Sequence, residues 1–273
     1  MQMNKQLGQA RYADDLVNVP QGMGMTRNNL QRLLRSLDFV GWSKSEESGR
    51  LDRRALTKFA IGSANVFSRR QYVEAETSAV SVLIDCSGSM NDGTPGSNIS
   101  KITVAQTITV HLSNLLHKAR VPFTVTGFRS GKNEYLNEYP EGGGRVESPQ
   151  FIPFKPWRQS LLRSIPALGN IKQCAYSGTP DYSAIANAID DLAQRPEHRR
   201  ILFILTDANG YMRSHMQHLQ TLADKVGVTI VAIGIKSPDV LDCFVDAVNV
   251  DKIEDLGATA FNQLLKTVRR KVA

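Results

Sequence analysis

Cysteine is scarce in this 273-residue chain: Cys86, Cys174 and Cys243 stand far apart and are odd in number. No pair has the C-x-x-C spacing of a zinc or redox site, and no disulfide framework is implied. A reducing, cytoplasmic compartment is therefore expected. Long apolar runs are missing too. None approaches the ~18 residues of a membrane span. The opening "MQMNKQLGQARYADD" has neither the apolar stretch nor the cleavage site of a secretory signal. Three enzyme signatures are also absent: the G-x-S-x-G elbow of serine hydrolases, and the G-x-x-x-x-G-K-[ST] phosphate loop. The third is the second acid that a haloacid-dehalogenase-like phosphatase needs two residues after its nucleophile. That place, counted from Asp85, is Ser87. No catalysis by the chain alone is expected, and any ATP hydrolysis belongs to another chain.

What is present is enough apolar residue (41%) for a substantial core, and a net charge of +7. Residues 1–76 hold 12 Lys+Arg against 8 Asp+Glu, and the remainder 21 against 18, so the basic bias is densest at the front. Arg53, Arg54, Arg69 and Arg70 are candidates for a partner-facing or nucleic-acid-facing patch. The plainer reading is a solvated face, since no aromatic residues interleave with the arginines to stack bases.

Residues 1–22 read as a polar arm ending in "VPQGMGM". Leu30, Leu33, Leu34 and Leu37 then predict a short helix, "WSKSEESGRLD" a loop, and residues 51–62 a second helix. From residue 77 the pattern changes. "TSAVSVLID", "VPFTVTGF", "RRILFILTD" and "GVTIVAIGI" predict buried strands, with a short one near "DAVNV". Helical stripes alternate with them: one after a cap at Asn98 or Ser100, one over 157–168, one after "SGTPD", one over 212–226. A last one carries Phe261, Leu264, Leu265 and Val268. Residues 129–156, rich in Gly, Pro and charge, predict an excursion with an edge strand or short helix. The expected architecture is α/β: a Rossmann-like, doubly wound, mainly parallel sheet flanked by helices over 77–273. A basic, largely helical extension covers 1–76.

Ligand sites in such sheets form beyond the carboxyl ends of the strands. Two predicted strands end there in aspartate, "LID" at Asp85 and "LTD" at Asp207. Asp85, Ser87 and Ser89 stand at i, i+2 and i+4, which aligns their oxygens in an extended loop, and Gly88 allows a tight bend. Thr179, in "SGTPD", adds a hydroxyl. This oxygen set suits Mg²⁺, with Mn²⁺ and Ca²⁺ as alternatives. Two carboxylates balance the cation, and neutral hydroxyls donate weakly, so the metal retains demand for an anionic ligand. An acidic residue of a partner would meet it.

Plainer roles exist for each residue. Ser87 and Ser89 suit turn hydrogen bonds, Thr179 suits a helix cap before Pro180, and Asp181 suits a helix start. Cys86 is a small filler. His215 and His218 lie three apart, with no third ligand in view.

"DCSGS", a downstream Thr and "LTD" resemble the von Willebrand factor A (VWA) domain and its metal-ion-dependent adhesion site (MIDAS), whose pattern is Asp-x-Ser-x-Ser, then Thr, then Asp. The resemblance covers about residues 77–270. It implies that Asp85, Ser87, Ser89, Thr179 and Asp207 are metal ligands, directly or through water. "RNNLQRLLRS", "ESGRLDRRAL", "VFSRR", "VSVLIDCSGSM" and "PEHRRILFILTDA" are further similar to the carboxyl-terminal region of the cobaltochelatase T subunit (CobT type). That likeness implies a MoxR/CobS-type AAA+ ATPase as partner, and a non-catalytic role in ATP-driven remodelling or chelatase-like assembly, in a bacterium or phage. The alternatives are a true cobaltochelatase subunit of cobalamin biosynthesis, and a nucleic-acid-associated protein using its basic front segment.

Overall fold

The structure is a computed structural model that describes residues 4–17, 39–46, 48–52, 66–72, 78–94, 97–131 and 149–250. The chain divides into two compact units, Met1–Leu34 with Thr77–Ala273, and Arg35–Glu76. The helices predicted around Leu30–Leu37 and Phe261–Val268, and most of the one over 51–62, lie outside the described residues.

In the larger unit, β4 (Ser78–Asp85), β7 (Phe123–Ser130), β8 (Pro149–Lys155), β9 (Arg199–Thr206), β10 (Val228–Ile235) and β11 (Ala247–Val250) form one sheet. Its order is β11-β10-β9-β4-β7-β8. All neighbours are parallel except β7 and β8. The predicted 129–156 excursion thus returns as an antiparallel edge strand. The α-helices among the described residues are α1 (Lys5–Val17), α2 (Lys101–Lys118), α3 (Leu161–Leu168), α4 (Asp181–Ala193), α5 (Arg213–Lys225) and the short α6 (Val240–Cys243).

Strand alternation builds two cores. Val80, Val82 and Ile84 of β4, with Ile201, Phe203 and Leu205 of β9, face α1, α2 and α3. The intervening Ala79, Leu83, Leu202 and Ile204 face α4 and α5. Both faces of the central strands are therefore covered, and β4 is buried along its whole length. No helix among the described residues is long and apolar enough to cross a membrane.

Two expectations for the front of the chain change. Residues 5–17 are not a free polar arm. They form α1, and this helix is grouped with the larger unit. Its contact rests on glycines rather than an apolar stripe. A Cβ at Gly8 would meet the Pro166 carbonyl and Asn170, and one at Gly169 would collide with the Gly8 carbonyl, so the backbones touch. Polar groups complete the contact. Asp15 accepts from Gln106 Nε2 (2.7 Å) and Thr107 Oγ1 (3.0 Å), and Arg11 donates to Asn170 Oδ1 (3.1 Å).

In the smaller unit, "WSKSEESGRLD" is not one loop. β1 (Phe39–Glu46), β2 (Arg50–Leu51) and β3 (Phe67–Tyr72) form an antiparallel sheet in the order β1-β3-β2. Pairing in register, such as Ser43 opposite Arg69, holds a segment whose polar composition gives no strand signal by itself. Arg69 is exposed on β3. Arg53 and Arg54, and the side chain of Arg70, lie outside the described residues.

Candidate metal centre

The register of β4 against β9 explains why two distant aspartates meet. Ile84 pairs with Leu205, so Asp85 stands level with Thr206, and Asp207 follows one residue beyond the sheet. Thr206 Oγ1 donates to Asp85 Oδ2 (2.7 Å), and the Ser87 N–H donates to Asp85 Oδ1 (2.9 Å). Ser87 Oγ lies 3.1 Å from Ser89 Oγ, which donates to Asp207 Oδ1 (3.3 Å). The Asn209 N–H donates to the same oxygen (3.2 Å). Three of the five predicted side chains, Ser87, Ser89 and Asp207, are thus linked oxygen to oxygen, and Asp85 joins them through the Ser87 backbone N–H. Asp85 is fully buried, and Asp207 is 2% exposed.

Thr179 is placed differently. Its segment is clasped to the serine turn: the Gly88 N–H donates to the Ser177 carbonyl (2.8 Å) and the Tyr176 N–H to the Cys86 carbonyl (3.0 Å). A Cβ at Gly88 would press on that Ser177 carbonyl at 3.3 Å, so glycine suits the approach. Thr179 itself is half-buried, and among the described residues no hydrogen bond joins its side chain to the other four. Nor does it cap α4. That helix begins at Asp181 with Pro180 in the cap position, and Asp181 Oδ1 accepts from the Tyr182 N–H (2.7 Å).

Two residues at the rim were not anticipated. Thr206 orients Asp85, and its Oγ1 also accepts from the Ala208 N–H (2.9 Å). Lys101 opens α2 and places Nζ 2.8 Å from Asp207 Oδ2, with its side chain 18% exposed. The sequence offered only a weak hint of Lys101 and none of its partner. A lysine in the first turn of a helix opposes the helix dipole, so something must compensate it.

Electrostatics at the rim favour a cation. Burial pushes the Asp85 carboxyl up to about 6; hydrogen bonds from Ser87 and Thr206 pull it back, while the Asp207 charge pushes with burial. The Tyr211 hydroxyl is buried beside Thr206. Burial pushes it well above its ordinary value, with the Asp85 charge next in effect. Backbone strain collects here too. Ser177 (φ 74°) and Ala208 (φ 51°) are non-glycine residues in the left-handed region, one in each rim loop.

These residues fit a hard divalent ion. Ligands at 2.0–2.1 Å in an octahedron lie roughly 2.9 Å apart along each edge, close to the observed Ser87–Ser89 and Ser89–Asp207 oxygen spacings. Among the described residues no group of three or more His, Cys, Asp or Glu is placed to hold a metal. A cation at this rim therefore relies on serine hydroxyls beside the two carboxylates. His215 and His218 serve packing instead. Tyr182 Oη lies 2.8 Å from His218 Nδ1, and its ring meets His215 edge-on.

A parallel sheet with an Asp-x-Ser-x-Ser turn at the carboxyl end of its central strand defines the VWA class. The chain belongs to the cobalamin biosynthesis protein CobT VWA domain family, whose model matches residues 66–269. No curated relative matches it. Among solved structures it is similar to the pilus adhesin SpaC of Lactobacillus rhamnosus GG (12% identity, TM-score 0.51), over 72% of this chain and 31% of the adhesin. It is similar also to a point mutant of the PilB minor pilin of Streptococcus sanguinis (12%, TM-score 0.50), over 75% of this chain and 65% of that one. Proximal thread matrix protein 1 of the mussel byssus, solved with a zinc-occupied MIDAS motif, matches at 16% identity and TM-score 0.48. That match covers 70% of this chain and 46% of the other. At these identities the likeness concerns the fold.

Proposed function

We propose that this protein is a metal-dependent interaction module, without catalysis of its own, that serves as adaptor or co-subunit to a MoxR/CobS-type AAA+ ATPase. The observation that carries the reading is the hydrogen-bonded run of Ser87, Ser89 and Asp207 oxygens at the sheet rim, with Asp85 held beside it by the Ser87 N–H. The structural need for two buried carboxylates at one rim is small, because a core is normally sealed with apolar groups. A divalent cation, Mg²⁺ first and Mn²⁺ or Ca²⁺ as substitutes, offsets their charge. Asp85 and Asp207 supply charge, and Ser87 and Ser89 complete the protein's share of the shell. Thr179 joins through water or a small shift of its loop. An acidic residue of the partner takes the remaining coordination, so docking depends on metal.

Capture of partners from extract by the immobilised protein, with and without EDTA, tests this. Metal-dependent recovery of an AAA+ ATPase that Asp85→Ala abolishes is expected. Capture unchanged in EDTA would sink the reading. The family description favours a second version, in which the complex is a cobaltochelatase of cobalamin biosynthesis. Cobalt insertion by the reconstituted complex, lost on omitting this chain, distinguishes it from a general remodelling role.

A further inference from the structure

Lys101 stands apart from the five-ligand pattern. It places an ammonium on the carboxylate that the metal reading assigns as a ligand, at 2.8 Å and largely out of solvent. Its backbone is fixed independently of that contact, since the Lys101 N–H donates to the Asp92 carbonyl (3.3 Å), and β5 (Gly93–Thr94) with β6 (Ser97–Ser100) forms the hairpin between them. The preceding Ser100 does not cap α2 with its side chain; its Oγ lies 2.9 Å from Thr103 Oγ1. The helix start therefore supplies neither a capping oxygen nor an acidic residue to offset the lysine. Asp207 does, and the lysine side chain runs from the helix to the rim to reach it.

Charge arithmetic gives the contact its meaning. Asp85 and Asp207 carry two negative charges, and Lys101 returns one. A divalent cation then leaves the rim with one positive charge rather than none. We propose that Lys101 is a built-in counter-ion of the metal site, a positioning residue that holds Asp207 and sets how tightly the rim takes up a divalent cation. The proposal rests on the metal reading above and deepens it. Two cations compete for one carboxylate: the tethered ammonium is always present, and the free ion must displace it or share Asp207 with it. Like charges drawn to one carboxylate, shielded from water on one side, repel strongly. Uptake is consequently weaker than the oxygen set alone would give, and the loaded rim carries a surplus positive charge that favours an anionic group on the partner.

The test is calorimetric titration of the intact protein with Mn²⁺, for the wild type and for Lys101→Gln, Lys101→Met and Lys101→Arg. Glutamine, one atom shorter, keeps a donor toward Asp207 without charge, so it guards against a variant that fails to fold. Removal of the charge is expected to tighten Mn²⁺ binding by about tenfold or more, while arginine keeps the wild-type affinity. A merely structural ion pair would instead give uncharged variants that bind Mn²⁺ as the wild type does or more weakly, and this result overturns the proposal while leaving the metal site standing. Absence of Mn²⁺ binding in all four proteins would overturn the metal reading and this inference together. Binding by the uncharged variants alone would support the inference in its strongest form.

Discussion

The rim at the carboxyl end of the sheet and the seam between α1 and α3 are both rich in polar contacts, yet they solve opposite problems. At the seam, glycine brings backbone against backbone, and carboxylate, amide and guanidinium groups meet neutral partners at the edge of the contact. At the rim, two carboxylates are buried side by side, a phenolic hydroxyl is buried next to them, and two residues adopt left-handed backbone. The seam stabilises the body. The rim costs stability and is tolerated because the surrounding strands determine it. Such a cost, concentrated in one place, marks function.

The largest effect that separates the two regions comes from breaking the seam. Gly169→Val is expected to lower unfolding free energy by about 3 kcal/mol or more, because the added atoms drive into the Gly8 backbone. Urea unfolding checks the energy, and limited proteolysis should release residues 1–17 while Mn²⁺ binding persists. Asp85→Asn breaks the rim instead. Metal affinity is expected to fall by about a hundredfold or more, read by titration, without a lower melting temperature in EDTA, since a buried charge has been removed.

Lys155 sharpens the comparison, because it is a buried charge far from the rim's chemistry. Its Nζ donates to the Phe123 carbonyl (2.5 Å) and lies 4.1 Å from the centre of the Phe123 ring. Burial lowers its pKa from the usual 10.5 to about 8. Below pH 8 the folded protein carries the full cost of the buried ammonium. Between 8 and 10.5 it sheds the proton before the unfolded chain does, and the cost fades as pH rises. Lys155→Met is thus expected to stabilise by about 2 kcal/mol at pH 7, with the gain vanishing near pH 11 and metal binding unchanged. Denaturation at several pH values measures it. The smallest effect is relief of rim strain: Ala208→Gly should add about 1 kcal/mol, since glycine accepts the left-handed backbone at φ 51°. Thermal unfolding with and without Mn²⁺ reads that gain.

The rim was legible in the sequence and the seam was not, for physical reasons. Apolar strands separated by striped helices announce a parallel sheet, and "LID" and "LTD" put carboxylates at its productive edge by local pattern alone. Lys101 and Thr206 needed three dimensions, because their partners lie 106 and 121 residues away. In α1 only Gly8 and Tyr12 are buried. A helix held by one tyrosine, a glycine and an aspartate gives no amphipathic signal, and its sequence reads as a polar arm. Strand β1 was hidden similarly, since "SKSE" gains strand geometry only from its pairing with β3.

The seam also bears on how the molecule can be trimmed. The family match opens at residue 66, well after α1. A fragment cut to that limit would strip Asp15 from Gln106 and Thr107 and bare the Gly169 backbone that Gly8 covers, leaving a wet scar along α2 and α3. The practical minimum of this molecule is set by a thirteen-residue helix that the family boundary leaves out.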